Sequence, residues 1–170
     1  MATPQSPYNA QLCAAYVARA IEFALVQDYS SAIDDITHAT LLNGELYFAY
    51  FSRAIWRYKL IEYKRAMGEA TEVADFELMM RDYDYVITHL PDFSFAYYNK
   101  ANMLCLQQDF KAAISYYTRA IAIDSDFAEA YFNRGLTYIY INEIDKGLAD
   151  LSKAGELGIY QAYNLISRFQ

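Results

Sequence analysis

Few residues of this sequence have the types and spacing that catalysis or metal binding requires. His38 and His89 are the only two histidines, and neither lies near Cys13 or Cys105 along the chain. Zinc sites show short, regular spacings of Cys and His, and no such spacing occurs. No glycine-rich phosphate loop precedes a Lys-Ser or Lys-Thr pair either. We therefore predict that the chain is not an enzyme, has no catalytic or metal-binding residues and uses no cofactor.

Asp124 and Asp126 are the best candidates for a cation site. They flank Ser125 in a turn that precedes a predicted helix. Carboxylates at such positions commonly cap helices, whereas calcium needs six or more oxygen ligands. Helix capping is the favoured interpretation of this pair.

The composition limits the classes of partner. The chain has 170 residues, a net charge of −7 and 55% hydrophobic residues. Nucleic-acid binding depends on clustered Lys and Arg, which this acidic chain lacks, and no apolar run is long enough to cross a membrane. We predict a protein or peptide partner, without nucleic acid and without membrane insertion. The expected compartment is the cytoplasm, with the periplasm as the alternative for a fragment of a secreted protein.

The sequence contains an internal repeat in which aromatic and small residues recur at fixed positions. Four blocks begin at Cys13, Tyr47, Ser94 and Ala128; three are 34 residues long, and the second, 47–93, has 13 more. The fourth position of each block is Tyr and the eighth is small: Tyr16, Tyr50, Tyr97 and Tyr131, then Ala20, Ala54, Ala101 and Gly135. Apolar positions three, four and seven apart indicate one face of a helix. Each block therefore predicts a helix–turn–helix unit that must stack on its neighbours to bury its apolar face.

This pattern resembles the tetratricopeptide repeat (TPR) family. The best matches are AYYNKA at 96–101 with DFKAAISYYTRAIAID at 109–124, and AYFNRG at 130–135 with DKGLADLSKA at 145–154. The resemblance implies an all-α, right-handed helical solenoid of four helix pairs plus a C-terminal capping helix, in a single domain over 1–170. The implied repeats are 13–46, 47–93, 94–127 and 128–161, with the cap at about 159–169. The stretch from Gly147 to Phe169 also resembles the C-terminal repeats and cap of long bacterial TPR proteins.

The second block departs most from the family pattern. Arg57 stands where the family usually has a large apolar residue, and the 13-residue insertion near 62–74 holds good helix formers around Gly68. Both helices of this pair are expected to run on as a projecting hairpin. Its use as a docking or dimer contact is left open. We predict helices at 7–26, 29–42, 45–66, 72–90, 94–107, 110–123, 127–141, 144–157 and 159–169.

Charged residues recur at two block positions that face each other in the family. The seventh position is basic in every block, and the twenty-third is Asp in the three blocks that have Arg at the seventh. We predict a structural ion pair within each of these repeats, in preference to a cationic ligand clamp, because an Arg with its own Asp has little charge left for a ligand. The predicted pairs are Arg19–Asp35, Arg53–Asp82 and Arg134–Asp150, with Lys100 near Tyr116.

The resemblance also implies that the first helix of each pair lines a concave groove. Aromatic rings and amides at groove positions suit a peptide, since rings anchor apolar side chains and Asn both donates to and accepts from a backbone. The predicted peptide-binding residues are Phe48, Phe51, Phe95, Tyr98, Asn99, Asn102, Phe132, Asn133 and Tyr140. The alternative for each ring is packing between neighbouring repeats.

The resemblance further implies which kind of peptide the groove accepts. The basic positions with which some relatives grip a terminal carboxylate hold Val17, Ile21, Phe95 and Glu129. An apolar or neutral segment is therefore the expected ligand. We predict a non-catalytic protein–protein interaction module that binds a peptide segment in its groove. The alternatives are a scaffold or self-association module, including a homodimer, within a larger multi-repeat protein, and, ranked last, a distant enzyme.

Overall fold

The computed structural model of the protein describes residues 6–70 and 73–169. Within these residues the chain forms nine α-helices: α1 (Pro7–Leu25), α2 (Tyr29–Leu42), α3 (Tyr47–Ala66), α4 (Val73–His89), α5 (Ser94–Leu106), α6 (Phe110–Ile123), α7 (Ala128–Tyr140), α8 (Ile144–Glu156) and α9 (Gln161–Ile166). Consecutive helices pack as the pairs α1–α2, α3–α4, α5–α6 and α7–α8, and α9 packs on α8. The predicted all-α, TPR-like succession of four helix pairs and a terminal helix is confirmed.

Acidic residues precede the second helix in three of the pairs. The Asp28 side chain accepts a hydrogen bond from the Ser31 backbone N–H, and Asp109 accepts one from Ala112, each at 3.1 Å. Glu143 precedes α8 and pairs instead with Lys146 at 3.2 Å. These carboxylates satisfy N-terminal donors or lie at the positive end of the helix dipole, which is why the block pattern has an acidic residue at this point.

The turns inside three of the pairs share one backbone conformation. Gln27, Gln108 and Asn142 have φ of 63°, 63° and 67°, in the left-handed region. Each lies just beyond the first helix of its pair, where a left-handed residue commonly ends a helix by satisfying its last carbonyls. Gly68 takes the same role after α3, with φ of 74°. A left-handed residue therefore follows the first helix of all four pairs, and it is a glycine only in the second.

The second pair is the longest of the four. α3 has 20 residues and α4 has 17, whereas α5 has 13 and α6 has 14. The extra residues of the second block thus extend both helices and their connection. Part of the predicted insertion, residues 71–72, lies outside the described residues.

The chain divides into two compact units, one ending at Leu90 and the other beginning at Pro91. In the first unit, Ala20, Ile36 and Ala49 form a buried cluster against which Trp56 packs. In the second unit, the corresponding cluster is Leu151, Ala154 and Ala162, so the terminal helix α9 contributes to the core. Small residues at these contacts let helices approach closely while larger apolar side chains fill the space around them.

The terminal helix is shorter than predicted. It begins at Gln161, because Gly158 (φ 107°) and a hydrogen bond from the Ile159 N–H to the Ala154 carbonyl first close α8. After Ile166 the backbone forms hydrogen bonds between residues three apart, including one from the Phe169 N–H to the Ile166 carbonyl. Such three-residue spacing belongs to the tighter 3₁₀ turn and not to the α-helix. The predicted range 159–169 therefore consists of a short α-helix with a turn at each end.

The length and hydropathy of the helices were compared with those of membrane spans. Over residues 6–70 and 73–169, none of them combines the length and apolar character that a membrane crossing requires.

Candidate functional site

Two of the predicted asparagines meet in the second unit. The Asn133 side-chain amide on α7 donates to Tyr98 Oη and to Asn102 Oδ1 on α5, each at 3.0 Å. Tyr117 Oη on α6 donates to the same Asn102 oxygen at 2.6 Å. The network therefore joins three helices, and its polar groups satisfy one another in a partly buried position.

Both tyrosines of this network remain neutral: Tyr98 accepts a hydrogen bond from Asn133, and Tyr117 donates one to Asn102. Burial raises the pKa of the Tyr98 phenol, and burial raises that of Tyr117 far above its ordinary range. Thr137 and Cys105 extend the network, with Cys105 Sγ at 3.4 Å from Thr137 Oγ1. The arrangement is suited to fixing the relative positions of α5, α6 and α7.

Asn99 stands apart from the network. Its side-chain amide donates to the Phe95 carbonyl one turn earlier in the same helix, at 2.8 Å. The structure therefore brings Asn102 and Asn133 together but does not bring Asn99 to them. Asn99 keeps a local bond to its own helix, which a ligand could exchange at little structural cost.

This difference allows a test of the network. Asn133→Ala is expected to lower the free energy of unfolding by about 1–3 kcal/mol, because Tyr98 and Asn102 lose a donor in a partly buried position. Asn99→Ala is the matched control and should change that free energy by less than about 0.5 kcal/mol. Urea denaturation followed by circular dichroism measures both. Equal effects of the two substitutions would contradict the structural role of Asn133.

The aromatic residues of the second unit pack against nearby rings and apolar side chains. Phe95 lies 5.0 Å from the Phe127 ring centre and Tyr98 lies 4.8 Å from it. Tyr140 packs on Phe110 at 4.5 Å, and Phe132 contacts the buried cluster of α8 and α9. Phe95 and Tyr140 nevertheless keep about half or more of their surface exposed. These two rings are the members of the second-unit set that can contact a ligand without repacking.

The first unit holds an apolar cleft beside the first helices of its two pairs. The cleft has a volume of about 280 Å³ and is bordered by Glu45 and Ser52. Phe48, 65% exposed, is part of its wall, whereas the Phe51 ring packs on Tyr83 at 6.1 Å. We refer to this feature as the apolar cleft; its other lining residues are Val17, Ile21, Ile36, Leu46, Tyr47, Ala49 and Trp56.

The predicted peptide-binding residues include Phe48 but not Val17, Ile21, Leu46 and Trp56, which also line the apolar cleft. A signal was present for two of them, since Val17 and Ile21 stand at groove positions where a basic clamp is absent. Trp56 is the sole tryptophan of the chain. A half-buried tryptophan beside an open cleft is a common anchor for apolar ligands.

The predicted ion pairs are confirmed. Arg19 contacts Asp35 at 2.5 and 2.8 Å, Arg53 contacts Asp82 at 2.9 and 2.6 Å, and Arg134 contacts Asp150 at 2.7 and 2.8 Å. Each pair is bidentate and joins the two helices of one repeat. The bond from Arg19 lowers the pKa of the Asp35 carboxyl, so that carboxyl stays ionised. The predicted contact of Lys100 with Tyr116 is also confirmed, with 4.6 Å between Lys100 Nζ and the ring centre.

Two of these arginines also contact the preceding repeat, which the sequence did not predict. Arg53 Nη1 donates to Thr40 Oγ1 at 3.0 Å and to Thr37 Oγ1 at 3.3 Å, both on α2. Arg134 Nη1 donates to Thr118 Oγ1 on α6 at 2.9 Å. Each of these arginines therefore connects three helices, which supports a structural function over a ligand clamp.

Two sequence profiles from one family match the second unit. A profile described as TPR repeat matches residues 101–139, and one described as tetratricopeptide repeat matches 128–157. Among curated proteins, a UDP-N-acetylglucosamine--peptide N-acetylglucosaminyltransferase of Giardia intestinalis is 33% identical over 67 residues. The match spans 39% of this chain and 4% of the transferase, so the transferase as a whole is not a guide to this chain.

Solved structures share the fold of this chain. A crystal structure of MamA aligns with a TM-score of 0.76 and 18% identity over 92% of this chain and 80% of its own. MamA from Desulfovibrio magneticus RS-1 aligns with a TM-score of 0.72 and 15% identity, over 88% of this chain and 77% of its own. A tetratricopeptide repeat protein of Parabacteroides merdae aligns with a TM-score of 0.72 and 16% identity, over 87% of this chain and 54% of its own. With the repeat register and the paired helices, the two profiles show tetratricopeptide repeats over residues 101–157, and the solved structures show that the chain has a TPR-like helical fold.

Proposed function

We propose that this protein–protein interaction module binds an extended peptide segment through apolar contacts at the first helices of its pairs. The observation that carries the proposal is the apolar cleft, with Ile21 and Phe48 exposed at its wall. A groove lined by aliphatic and aromatic side chains with a few polar groups at its rim is typical of peptide sites. TPR folds are typically non-catalytic interaction scaffolds, and the proposal assigns the chain no reaction.

The chemistry of the cleft favours an apolar anchor residue in the ligand. Val17 and Ile21 replace the basic residues that would grip a terminal carboxylate, and Glu45 at the rim would repel one. The second unit by itself exposes apolar area at Phe95 and Tyr140. Because few charges take part, binding should depend weakly on salt, unlike an electrostatic clamp.

A displayed peptide library selected on the purified chain provides the test. For a selected peptide, Ile21→Ser is expected to raise the dissociation constant about tenfold, because it removes an apolar contact at the cleft wall. Leu41→Ser is the matched control, since Leu41 is more exposed than Ile21 and lies outside the cleft on α2. Selected peptides should carry a large apolar residue, and their affinity should change little with added salt.

Equal affinities of the Ile21→Ser and Leu41→Ser variants would exclude the apolar cleft as the peptide site. A selected set dominated by acidic peptides with steep salt dependence would likewise contradict the apolar mode of binding.

A further inference from the structure

A second cavity of the first unit is lined by an excess of positive charge. It has a volume of about 350 Å³ and lies between α3 and α4, apart from the apolar cleft, with which it shares no lining residue. Three of its lining residues are arginines and one is an aspartate. We call it the arginine cavity; its lining residues are Tyr50, Arg53, Arg57, Leu78, Arg81, Asp82 and Tyr85.

Two of these arginines share one carboxylate. Arg53 makes a bidentate pair with Asp82, and Arg57 Nη1 donates to the Oδ2 atom that also accepts from Arg53 Nε. The Arg53 and Arg57 side chains are 11% and 13% exposed, and Asp82 is 6% exposed. One carboxylate balances one guanidinium, so a positive charge is left in a place that water reaches poorly.

The donors that remain for a ligand belong to Arg57 and Arg81. Arg53 is occupied, because its other terminal nitrogen donates to Thr37 and Thr40. Among the described residues of the first unit, Arg57 forms an ion pair with Asp82 through its Nη1 atom. Arg81, which precedes Asp82 in α4, is exposed and lines the cavity.

The neighbouring carboxylates do not fill the arginine cavity. Asp75 and Asp34 line an adjacent cavity of about 250 Å³, which shares only Arg57 and Leu78 with it. Asp75 acts on the charge of Arg57 from that side. The side that faces the arginine cavity retains three guanidinium groups against one carboxylate.

We propose that the arginine cavity binds a small tetrahedral oxyanion, a phosphate or phosphate monoester, held by Arg57 and Arg81. The planar guanidinium presents paired N–H groups that match two oxygens of a phosphate. The cavity volume is at the lower end of small-molecule sites, which are roughly 300–1,000 Å³. Tyr50 and Tyr85, with ring centres 4.2 Å apart, form an aromatic wall that suits an aryl phosphate.

Titration of the full chain with inorganic phosphate tests the proposal. Sodium chloride keeps the ionic strength constant, and NMR follows the arginine side-chain Nε–H signals. We expect saturable shifts of the Arg57 and Arg81 signals. Arg81→Gln should weaken binding by about tenfold, because a charge-assisted donor pair is lost. Phenyl phosphate in a parallel titration distinguishes the source: tighter binding than inorganic phosphate assigns an aryl ester, and equal binding assigns the free anion.

Two further variants complete the design. Arg57→Leu introduces a large apolar side chain, as is usual at this position in the repeat, and should abolish the response to phosphate while circular dichroism shows an intact fold. Arg65→Gln changes an exposed arginine of the same helix outside the cavity and should bind phosphate like the parent. The proposal is overturned if phosphate causes no saturable shift beyond that of chloride, or if Arg81→Gln binds phosphate as well as Arg65→Gln does.

Discussion

Asp82→Ala is expected to lower the free energy of unfolding by about 3–5 kcal/mol, because it leaves two largely buried guanidinium groups without their shared carboxylate. Arg53 and Arg57 would then repel each other across the vacated position. Arg53 would keep its bonds to Thr37 and Thr40, which do not carry a compensating charge. Chemical denaturation of the full chain, followed by circular dichroism, measures the loss.

The three repeat ion pairs provide an internal comparison for this prediction. The arginine side chain is 58% exposed in the Arg19–Asp35 pair, 15% in Arg134–Asp150 and 11% in Arg53–Asp82. Water compensates an unpaired charge better where exposure is greater, so Asp35→Ala should cost the least. The double variant Arg53→Met with Asp82→Ala should be more stable than Asp82→Ala alone, since it removes one of the uncompensated charges.

A loss for Asp82→Ala no larger than that for Asp35→Ala would contradict the dependence on burial. A double variant less stable than the single one would show that Arg53 stabilises the unit mainly through its threonines.

Much of this fold was predictable because the repeat constrains it at several levels. Small residues at one position and Tyr at another fix which faces of two helices meet, and four copies of the pattern remove the ambiguity of any one copy. The Arg–Asp pairs were predictable for the same reason: block three has neither the Arg nor the Asp, so the two positions vary together. The starts of α2 and α6 agree with the prediction because Asp28 and Asp109 cap these two helices.

The contacts that the prediction missed depend on more than one repeat. Thr37 and Thr118 occupy the same place in their blocks, the twenty-fifth, yet each bonds to the arginine of the following block. A comparison of positions within one block cannot reveal such a contact. The Asn102–Asn133 bond likewise depends on how α5 and α7 are placed by the helix between them. Both asparagines were singled out from the sequence, but they were predicted to bind a peptide.

The arginine at position 57 illustrates a departure that the sequence showed but did not explain. Its position usually carries a large apolar residue, so the pattern predicted only uncertain packing there. In the structure the side chain reaches Asp82, a partner already assigned to Arg53. The balance of charge among Arg53, Arg57 and Asp82 can be examined once the burial of these side chains is known. This balance is the observation from which we propose an anion in the arginine cavity.

Gly147→Ala is expected to lower the free energy of unfolding by about 3 kcal/mol, because α7 and α8 touch at this residue through their backbones. A Cβ at Gly147 would lie 2.5 Å from Ile139 Cγ1 and 2.8 Å from the Gly135 carbonyl oxygen. The Ile139 side chain can turn away, but the Gly135 carbonyl is part of the α7 backbone. The two helices must therefore separate, which would open the core beneath them.

The intrinsic preference for Ala in a helix acts in the opposite direction by about 1 kcal/mol, so any net loss of stability reports the close contact. Gly44→Ala serves as the control, since the nearest atoms to its added Cβ are tyrosine hydroxyls at 4.0 Å. That variant should unfold like the parent. If Gly147→Ala were as stable as Gly44→Ala, the two helices would have room for a methyl group, and the glycine at position 147 would not be required by their approach.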